Sequence, residues 1–261
     1  MSFLKLEGKI ALVTGGAQGI GESIVRALSE AGVVVAMLDH NAVKLSSLAK
    51  ELKSEGCKVE AFPVDVSDSK AVATVVDLIE GDIGPIEILV NVAGVLHMGL
   101  IESLSDEDWE KTFEVNCTGV FNVSRSVSKY MVPRKKGSIV TVGSNSAKVP
   151  RMGMAAYASS KAASTMFTKC LGLELAQYNI RCNIVSPGST DTEMQWSLWK
   201  DASGALDVIA GTPEAFKIGI PLSKIATPTN IANAVLFLVS DRSNHITMHD
   251  LCVDGGATLG V

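Results

Sequence analysis

The sequence lacks the cysteine spacing that either a disulfide framework or a zinc site needs. Its five cysteines, Cys57, Cys117, Cys170, Cys182 and Cys252, are odd in number, scattered, and form no C-x-x-C pair. That pattern fits free thiols in a reducing cytoplasm, and no metal is expected. Positive charge is also scarce. The net charge is −5, and the one basic run, Arg134-Lys135-Lys136, is short and precedes a glycine. Nucleic-acid phosphates require clustered Lys and Arg, so that class of partner is excluded. No apolar run approaches the roughly 20 residues that span a bilayer, so no membrane partner is expected. Nor does Met1 lead into the apolar core and small-residue cleavage site of a secretory leader. Linkers, internal repeats and low-complexity tracts are missing too.

What is present is a globular composition, 47% hydrophobic and 20% charged over 261 residues, enough for one α/β domain with a sizeable core. Short β-branched runs alternate with longer amphipathic stretches. Strands are expected at Lys9–Thr14, Val33–Leu38, Lys58–Val64, Ile86–Asn91, Ser138–Val142 and Arg181–Val185, with helices between, the longest from about Ala155 to Tyr178. Buried strands separated by helix-length segments predict a single doubly wound parallel sheet, Rossmann-like, with helices on both faces. Residues 1–261 are expected to form that one domain. The irregular tract at about 190–221 reads as a lid over the active site.

Strand one runs into Thr14-Gly15-Gly16-Ala17-Gln18-Gly19-Ile20-Gly21. A glycine turn between strand and helix lets the backbone approach a diphosphate, which the helix N-terminus then meets with free N–H groups and a positive dipole end. The spacing is not the common G-x-G-x-x-G, and a tight structural turn would use glycines in the same way; its place after the first strand favours a nucleotide. Asp39 ends strand two, 18 residues after Gly21. An acid there accepts from both ribose hydroxyls and repels a 2′-phosphate, and it can also cap the helix that follows. No Arg or Lys stands at Gly16, Gln18 or His40 to offset that repulsion. The expected cofactor is NAD.

With these pieces assembled, the chain resembles the short-chain dehydrogenase/reductase superfamily over nearly its whole length. The matching pieces are Thr14-Gly15-x-x-x-Gly19-x-Gly21, Asp65-Val66, Asn91-Val92-Ala93-Gly94, Asn116, Ser144, Tyr157-x-x-x-Lys161, and Pro187-Gly188 with Thr192. The resemblance implies that Gly15, Gln18, Gly19, Ile20 and Gly21 hold the diphosphate and that Asp65 and Val66 flank the adenine. Asn91, Ala93 and Gly94 would line the ribose and nicotinamide floor, and Pro187, Gly188, Thr190 and Thr192 the carboxamide side. Val92 stands where the family often has a second Asn. Tyr157 would be the catalytic acid/base, Lys161 its electrostatic partner and a ribose ligand, Ser144 a donor to the substrate oxygen, and Asn116 the anchor of a proton-carrying water chain. Physical chemistry supports the pair. Tyr157 and Lys161 are four apart in a helical stretch and share a face. A tyrosine titrates at about 10, and a neighbouring ammonium together with a cationic nicotinamide is expected to depress that value. By itself, a helical Tyr-x-x-x-Lys is also compatible with a surface pair.

Three longer tracts, Val185–Trp199, Val149–Tyr157 and His245–Val261, are similar to the 2,3-dihydro-2,3-dihydroxybenzoate dehydrogenases of catechol siderophore biosynthesis. The substrate so implied is a cyclic dihydrodiol carboxylate. Leu96, Met98, Met152, Met194, Trp196 and Trp199 would supply apolar faces, with Gln195 beside them, and Arg151 or His97 the cation for the carboxylate. Members of that subfamily often carry Arg where this chain has His97. Trp196 and Trp199 are equally compatible with packing in the core or at a subunit contact. The resemblance further implies a homotetramer built on long helices around 106–130 and 155–178. A sugar-alcohol dehydrogenase, a 3-oxoacyl-carrier-protein reductase and a non-catalytic NAD sensor remain alternatives at this point.

Overall fold

A computed structural model of the chain describes residues 4–199, 201 and 203–261. Met1 to Phe3, within the expected domain span, and Lys200 and Ala202, within the expected lid, lie outside the described residues. The expected fold class holds. Seven strands form one parallel sheet in the order β3-β2-β1-β4-β5-β6-β7. They are β1 (Ile10–Thr14), β2 (Val34–Asp39), β3 (Val59–Pro63), β4 (Ile86–Asn91), β5 (Gly137–Val142), β6 (Ile180–Pro187) and β7 (Asp250–Val253). The principal helices are α1 (Gly19–Glu30), α2 (Ala42–Ser54), α3 (Ser69–Leu78), α4 (Asp106–Phe113), α5 (Val120–Arg134), α6 (Ala155–Leu175), α7 (Glu193–Trp196), α8 (Gly204–Ala210) and α9 (Pro228–Val239).

Side chains alternate across each strand, and on the central strands both faces are dry, while the edge strands β3 and β7 are only partly buried. Ala11, Val13, Val35, Met37, Ile88 and Val90 join one apolar cluster with Ile24, Val25 and Leu28 of α1 and Ile231, Val235 and Leu238 of α9. Their neighbours Ile10, Leu12, Ala36, Leu38 and Leu89 face the opposite way, onto α3 through Val72 and Val76 and onto α5 through Val123, Val127 and Met131. This two-sided burial is why the strands read as continuous apolar runs.

Two elements differ from the sequence expectation. β7 was not anticipated, because its four residues Asp-Leu-Cys-Val are too short and too polar to read as a strand. Asp250 tolerates its position by accepting from the Ser186 hydroxyl at 2.6 Å and pairing with Lys148 at 3.1 Å. The helix expected around 106–130 is divided by a wider turn at Glu114–Gly119 between α4 and α5. Such π-type turns displace a side chain from its ordinary helical direction, and this one carries Asn116.

The order of the strands along the sheet reverses between β1 and β4, and the crevice at that switch point is where ligands bind in open α/β sheets. Thr14 closes it from below. Its buried Oγ1 accepts the backbone N–H of Val92 at 3.0 Å and of Ala93 at 3.1 Å, tying the end of β1 to the loop after β4. Thr14→Val keeps the shape and removes the acceptor. Leaving two N–H groups without it should cost about 2 kcal/mol, read as a lower urea midpoint with an unchanged slope.

Candidate active site

A cleft of about 600 Å³ opens at the carboxyl ends of the strands. It is bounded by the β1–α1 turn, the ends of β2, β4, β5 and β6, and the segment from Ser189 to Ile220. The β1–α1 turn is shaped by close approach. Gly15 and Gly19 have φ of 63° and 58°, values that L residues with side chains rarely adopt. A Cβ on Gly15 would stand 2.8 Å from Ala93 Cα, and one on Gly21 would collide with the carbonyl of Gly15. Gln18, at the N-cap of α1, makes no capping bond with its side chain. The first-turn N–H groups therefore face the cleft without a side-chain acceptor, a cradle suited to a diphosphate.

Asp39 lies at the opposite wall, 7% exposed. Its Oδ2 accepts from Ala17 N–H at 3.1 Å and its Oδ1 from Asn41 N–H at 2.9 Å. It thus joins the glycine turn to the start of α2, while Asn41, not Asp39, caps that helix through Lys44 N–H. Each carboxylate oxygen retains a lone pair for a ribose hydroxyl. His40 Nδ1 lies 3.3 Å from Asp39 Oδ1, and Lys44, at the start of α2, donates to Gln18 Oε1 at 2.6 Å and to Glu193 at 2.9 Å. Asp65 and Val66 line the same end of the cleft. Burial would raise the Asp65 pKa, but hydrogen bonds from the hydroxyl and N–H of Ser67, with Lys111 beyond, bring it below the ordinary value. Asn91, expected on the cofactor floor, does not itself line the cleft: it donates to Ser124 at 3.0 Å, and its buried Oδ1 has no partner among the described residues. These groups together fit a dinucleotide.

The residues expected to carry the chemistry converge at the other end. Ser144, Tyr157 and Lys161 all line the cleft, on β5's exit and on α6. Ser144 Oγ accepts from the hydroxyl of Ser146 at 2.8 Å and from its N–H at 3.2 Å, which aims the Ser144 proton elsewhere. Lys161, 4% exposed, donates to the Val142 carbonyl at 2.9 Å, and its Nζ lies 5.8 Å from the Tyr157 ring centroid. Burial lowers its pKa to about 8. The expected depression of Tyr157 is not produced by the protein groups. Burial of the hydroxyl raises its pKa, opposed by a hydrogen bond with Ser144. The ammonium is directed at a backbone carbonyl and is itself desolvated, so it provides less relief than four-residue spacing alone suggests.

Asn116 is fully buried. It accepts from Val95 N–H at 2.8 Å and donates to the Val95 carbonyl at 2.9 Å and to Ser160 at 3.0 Å. It clamps the loop after β4, and its Oδ1 would stand 3.2 Å from a Cβ on Gly94. Ala93, Gly94, Pro187, Gly188, Thr190, Thr192, Gln18, Gly19 and Ile20 all line the cleft. Thr192 also accepts from Gln195 N–H at 3.3 Å, which caps the short α7.

The expected substrate residues divide. Arg151, Met194, Gln195 and Trp196 line the cleft, and Trp196 is oriented by its Nε1–H donating to Asp191 at 2.7 Å. His97 does not line it. The Thr112 hydroxyl donates to the Asp108 carbonyl at 2.6 Å, so His97 Nδ1 is left to donate to Thr112 Oγ1 at 3.0 Å. Its Nε2 lies 3.8 Å from Asp108. Both nitrogens thus turn to α4, and of the two expected cations only Arg151 is among the cleft-lining residues. Met98 and Met152 are more than half exposed and stand outside the cleft lining, and Trp199 packs over Gly204. Leu96, Met154 and Leu198 provide apolar walls, the last two unforeseen. Lys217 also lines the cleft and was missed, because a lysine in an irregular tract carries no sequence signal.

A family model described as short chain dehydrogenase matches residues 9–203. The chain is 67% identical to a 2,3-dihydro-2,3-dihydroxybenzoate dehydrogenase of Bacillus subtilis (strain 168), with 98% of each chain covered. It is 43% identical to the enzyme of the same name from Escherichia coli (strain K12), over 98% of this chain and 100% of the relative. Among solved structures it superposes on a gluconate 5-dehydrogenase from Burkholderia cenocepacia J2315, crystallised with NADP and tartrate. The TM-score is 0.91 at 32% identity, covering 100% of this chain and 99% of the other.

The Gly15–Gly21 contact makes one prediction. In Gly21→Ala the turn must open to relieve the collision with the Gly15 carbonyl. NADH binding, followed by fluorescence, should weaken by about tenfold or more, since a charge-assisted contact is worth about 1.5–3 kcal/mol.

Proposed function

This chain belongs to the short-chain dehydrogenase family and is a nicotinamide-dependent oxidoreductase acting on CH–OH groups; within that family we propose that it oxidises 2,3-dihydro-2,3-dihydroxybenzoate to 2,3-dihydroxybenzoate with NAD, in catechol siderophore biosynthesis. The observation that carries this reading is the meeting of Ser144, Tyr157 and Lys161 with the cation Arg151 in one cleft, in a chain so similar to enzymes of that name.

The nicotinamide, when bound, supplies the acceptor for the hydride leaving the ring carbinol at C3. The protein's own part is proton handling and placement. Ser144 Oγ holds the carbinol oxygen, and Tyr157, as phenolate, takes the hydroxyl proton. Lys161 stabilises that phenolate and would hold the cofactor ribose, with Asn116 fixing the loop beside it. Proton loss and C–H cleavage leave a ring ketone, which tautomerises to the aromatic catechol and draws the oxidation forward. Leu96, Met154, Met194 and Trp196 cover the flat ring, and Arg151 meets the carboxylate.

NAD is favoured over NADP by Asp39, whose carboxylate would repel a 2′-phosphate, with Lys44 engaged by Gln18 and Glu193. Residues from about 190 to 221 act as the lid of a single-domain enzyme. The five free cysteines support a cytoplasmic setting, and no helix among the described residues is long and apolar enough to cross a membrane. The assembly is taken to be a homotetramer, supported by apolar side chains left exposed on α5 and α6, namely Phe121, Met166 and Leu173, and by Leu259 and Val261 near the C-terminus.

The test is NADH formation from 2,3-dihydro-2,3-dihydroxybenzoate, followed by absorbance. NAD should give a much higher kcat/KM than NADP, and Asp39→Ala should narrow the gap; equal use of both cofactors by the unaltered enzyme would refute the cofactor assignment. Tyr157→Phe should lower kcat by about 10²–10⁴-fold and leave NAD affinity nearly unchanged, whereas Lys161→Ala should damage both. Light scattering should return four times the chain mass of 27.4 kDa.

A further inference from the structure

The lid brings a second cation into the cleft. Lys217 sits in a small hairpin whose ends pair backbone to backbone: Thr212 N–H donates to the Lys217 carbonyl at 2.8 Å, and Lys217 N–H to the Thr212 carbonyl at 3.0 Å. Gly211 and Gly219 flank the hairpin at φ of 94° and 83°. A Cβ on Gly211 would strike the Lys217 carbonyl, and one on Gly219 the backbone of Ile209 and Ala210. Two glycines therefore let the chain pinch together there. Ile220, just beyond, packs with Val208 and Ala257 in a separate apolar cluster. Backbone pairing, close approach and this small core together fix where Lys217 enters the cleft.

We propose that Lys217 and Arg151 together form the receptor for the ring carboxylate of the substrate, Lys217 delivered by the lid and Arg151 by the loop before α6. The proposal rests on the dihydroxybenzoate reading above. Both residues line the cleft that contains Ser144 and Tyr157, and they arrive from separate elements. Neither side chain hydrogen-bonds or ion-pairs with another described residue. Asp254 attracts Arg151 only through space. Its oxygens already accept from Thr258, Asn145 and the Gly256 N–H. Burial lowers the pKa of both cations, and Arg151 lowers that of Lys217 further. Two desolvated like charges, with Asp254 acting on only one of them and through space, are costly. A carboxylate between them would relieve both terms, and Arg supplies the flat fork that matches it. A neutral diol would relieve neither. Selection of the anionic ring would therefore reside in a pair that forms only when the hairpin is seated.

Lys217→Met and Lys217→Arg, each in the full chain, test this. The probes are 2,3-dihydroxybenzoate and catechol, which differ only by the carboxylate, titrated by calorimetry into protein saturated with NAD. Lys217→Met should weaken 2,3-dihydroxybenzoate by about tenfold and catechol by less than about twofold, while Lys217→Arg stays within about threefold of the unaltered protein. NADH affinity should not move in either variant. Equal loss for both probes, no loss for either, or a matching loss of NADH affinity would overturn the proposal. Turnover of 2,3-dihydro-2,3-dihydroxybenzoate by the unaltered protein tests the underlying reading separately. If turnover is absent but the probes still separate in Lys217→Met, the anion receptor stands and the substrate assignment falls. If turnover is present and the probes do not separate, the reverse holds.

Discussion

At the junction of β1 and β4, three stretches of backbone approach more closely than side chains would permit. Thr14 accepts two N–H groups from the β4 loop, Gly15 lies against Ala93, and Gly21 lies against Gly15. The glycine turn, the floor of the cleft and the first turn of α1 are held in one arrangement by that contact. Asp39 extends it through Ala17, and Asn116 extends it on the other side through Val95. Loosening the junction would shift every wall of the cleft at once, because interiors this dense transmit displacement rather than absorb it.

The cleft is electrically polarised along its length. Asp39 and Asp65, with His40 and Lys111 beside them, occupy the end proposed for the adenosine, whereas Lys161, Arg151 and Lys217 gather at the other. This arrangement suits a cofactor held by neutral and acidic groups at its ribose and a substrate held by cations. Lys161 is brought to a pKa of about 8 by burial, while Asp254, its pKa lowered against burial by hydrogen bonds from Thr258, Asn145, the Gly256 N–H and Cys252, remains close enough to attract Arg151.

Much of this was legible in the sequence, and some of it was not. Strand periodicity marked six strands, since burial on both faces writes an unbroken apolar run. β7 escaped because Asp250 is satisfied by Ser186 and Lys148, partners distant in the chain. Tyr157 and Lys161 were placed on one face by helical spacing alone. The balance of effects on the Tyr157 proton was not readable, because it depends on how deeply the hydroxyl is buried and on which acceptor the lysine finds. His97 followed the right loop, but its ring turns to Thr112 and Asp108, whose positions depend on how α4 packs.

What the sequence determined by itself were the features set by local chemistry: glycines where the backbone must turn or touch, an acid at the end of the second strand, and a tyrosine and lysine one helical turn apart. These follow from φ/ψ preference and helical period, which act over a few residues. The tertiary structure alone decided which cations share the cleft. Arg151 and Lys217 are far apart in the chain, and nothing near either specifies the other. They meet because the hairpin between Gly211 and Gly219 is seated against Val208, Ile220 and Ala257. Electrostatic pairing in a low-dielectric cleft depends on distance in space and on burial, and neither quantity exists until the chain has folded.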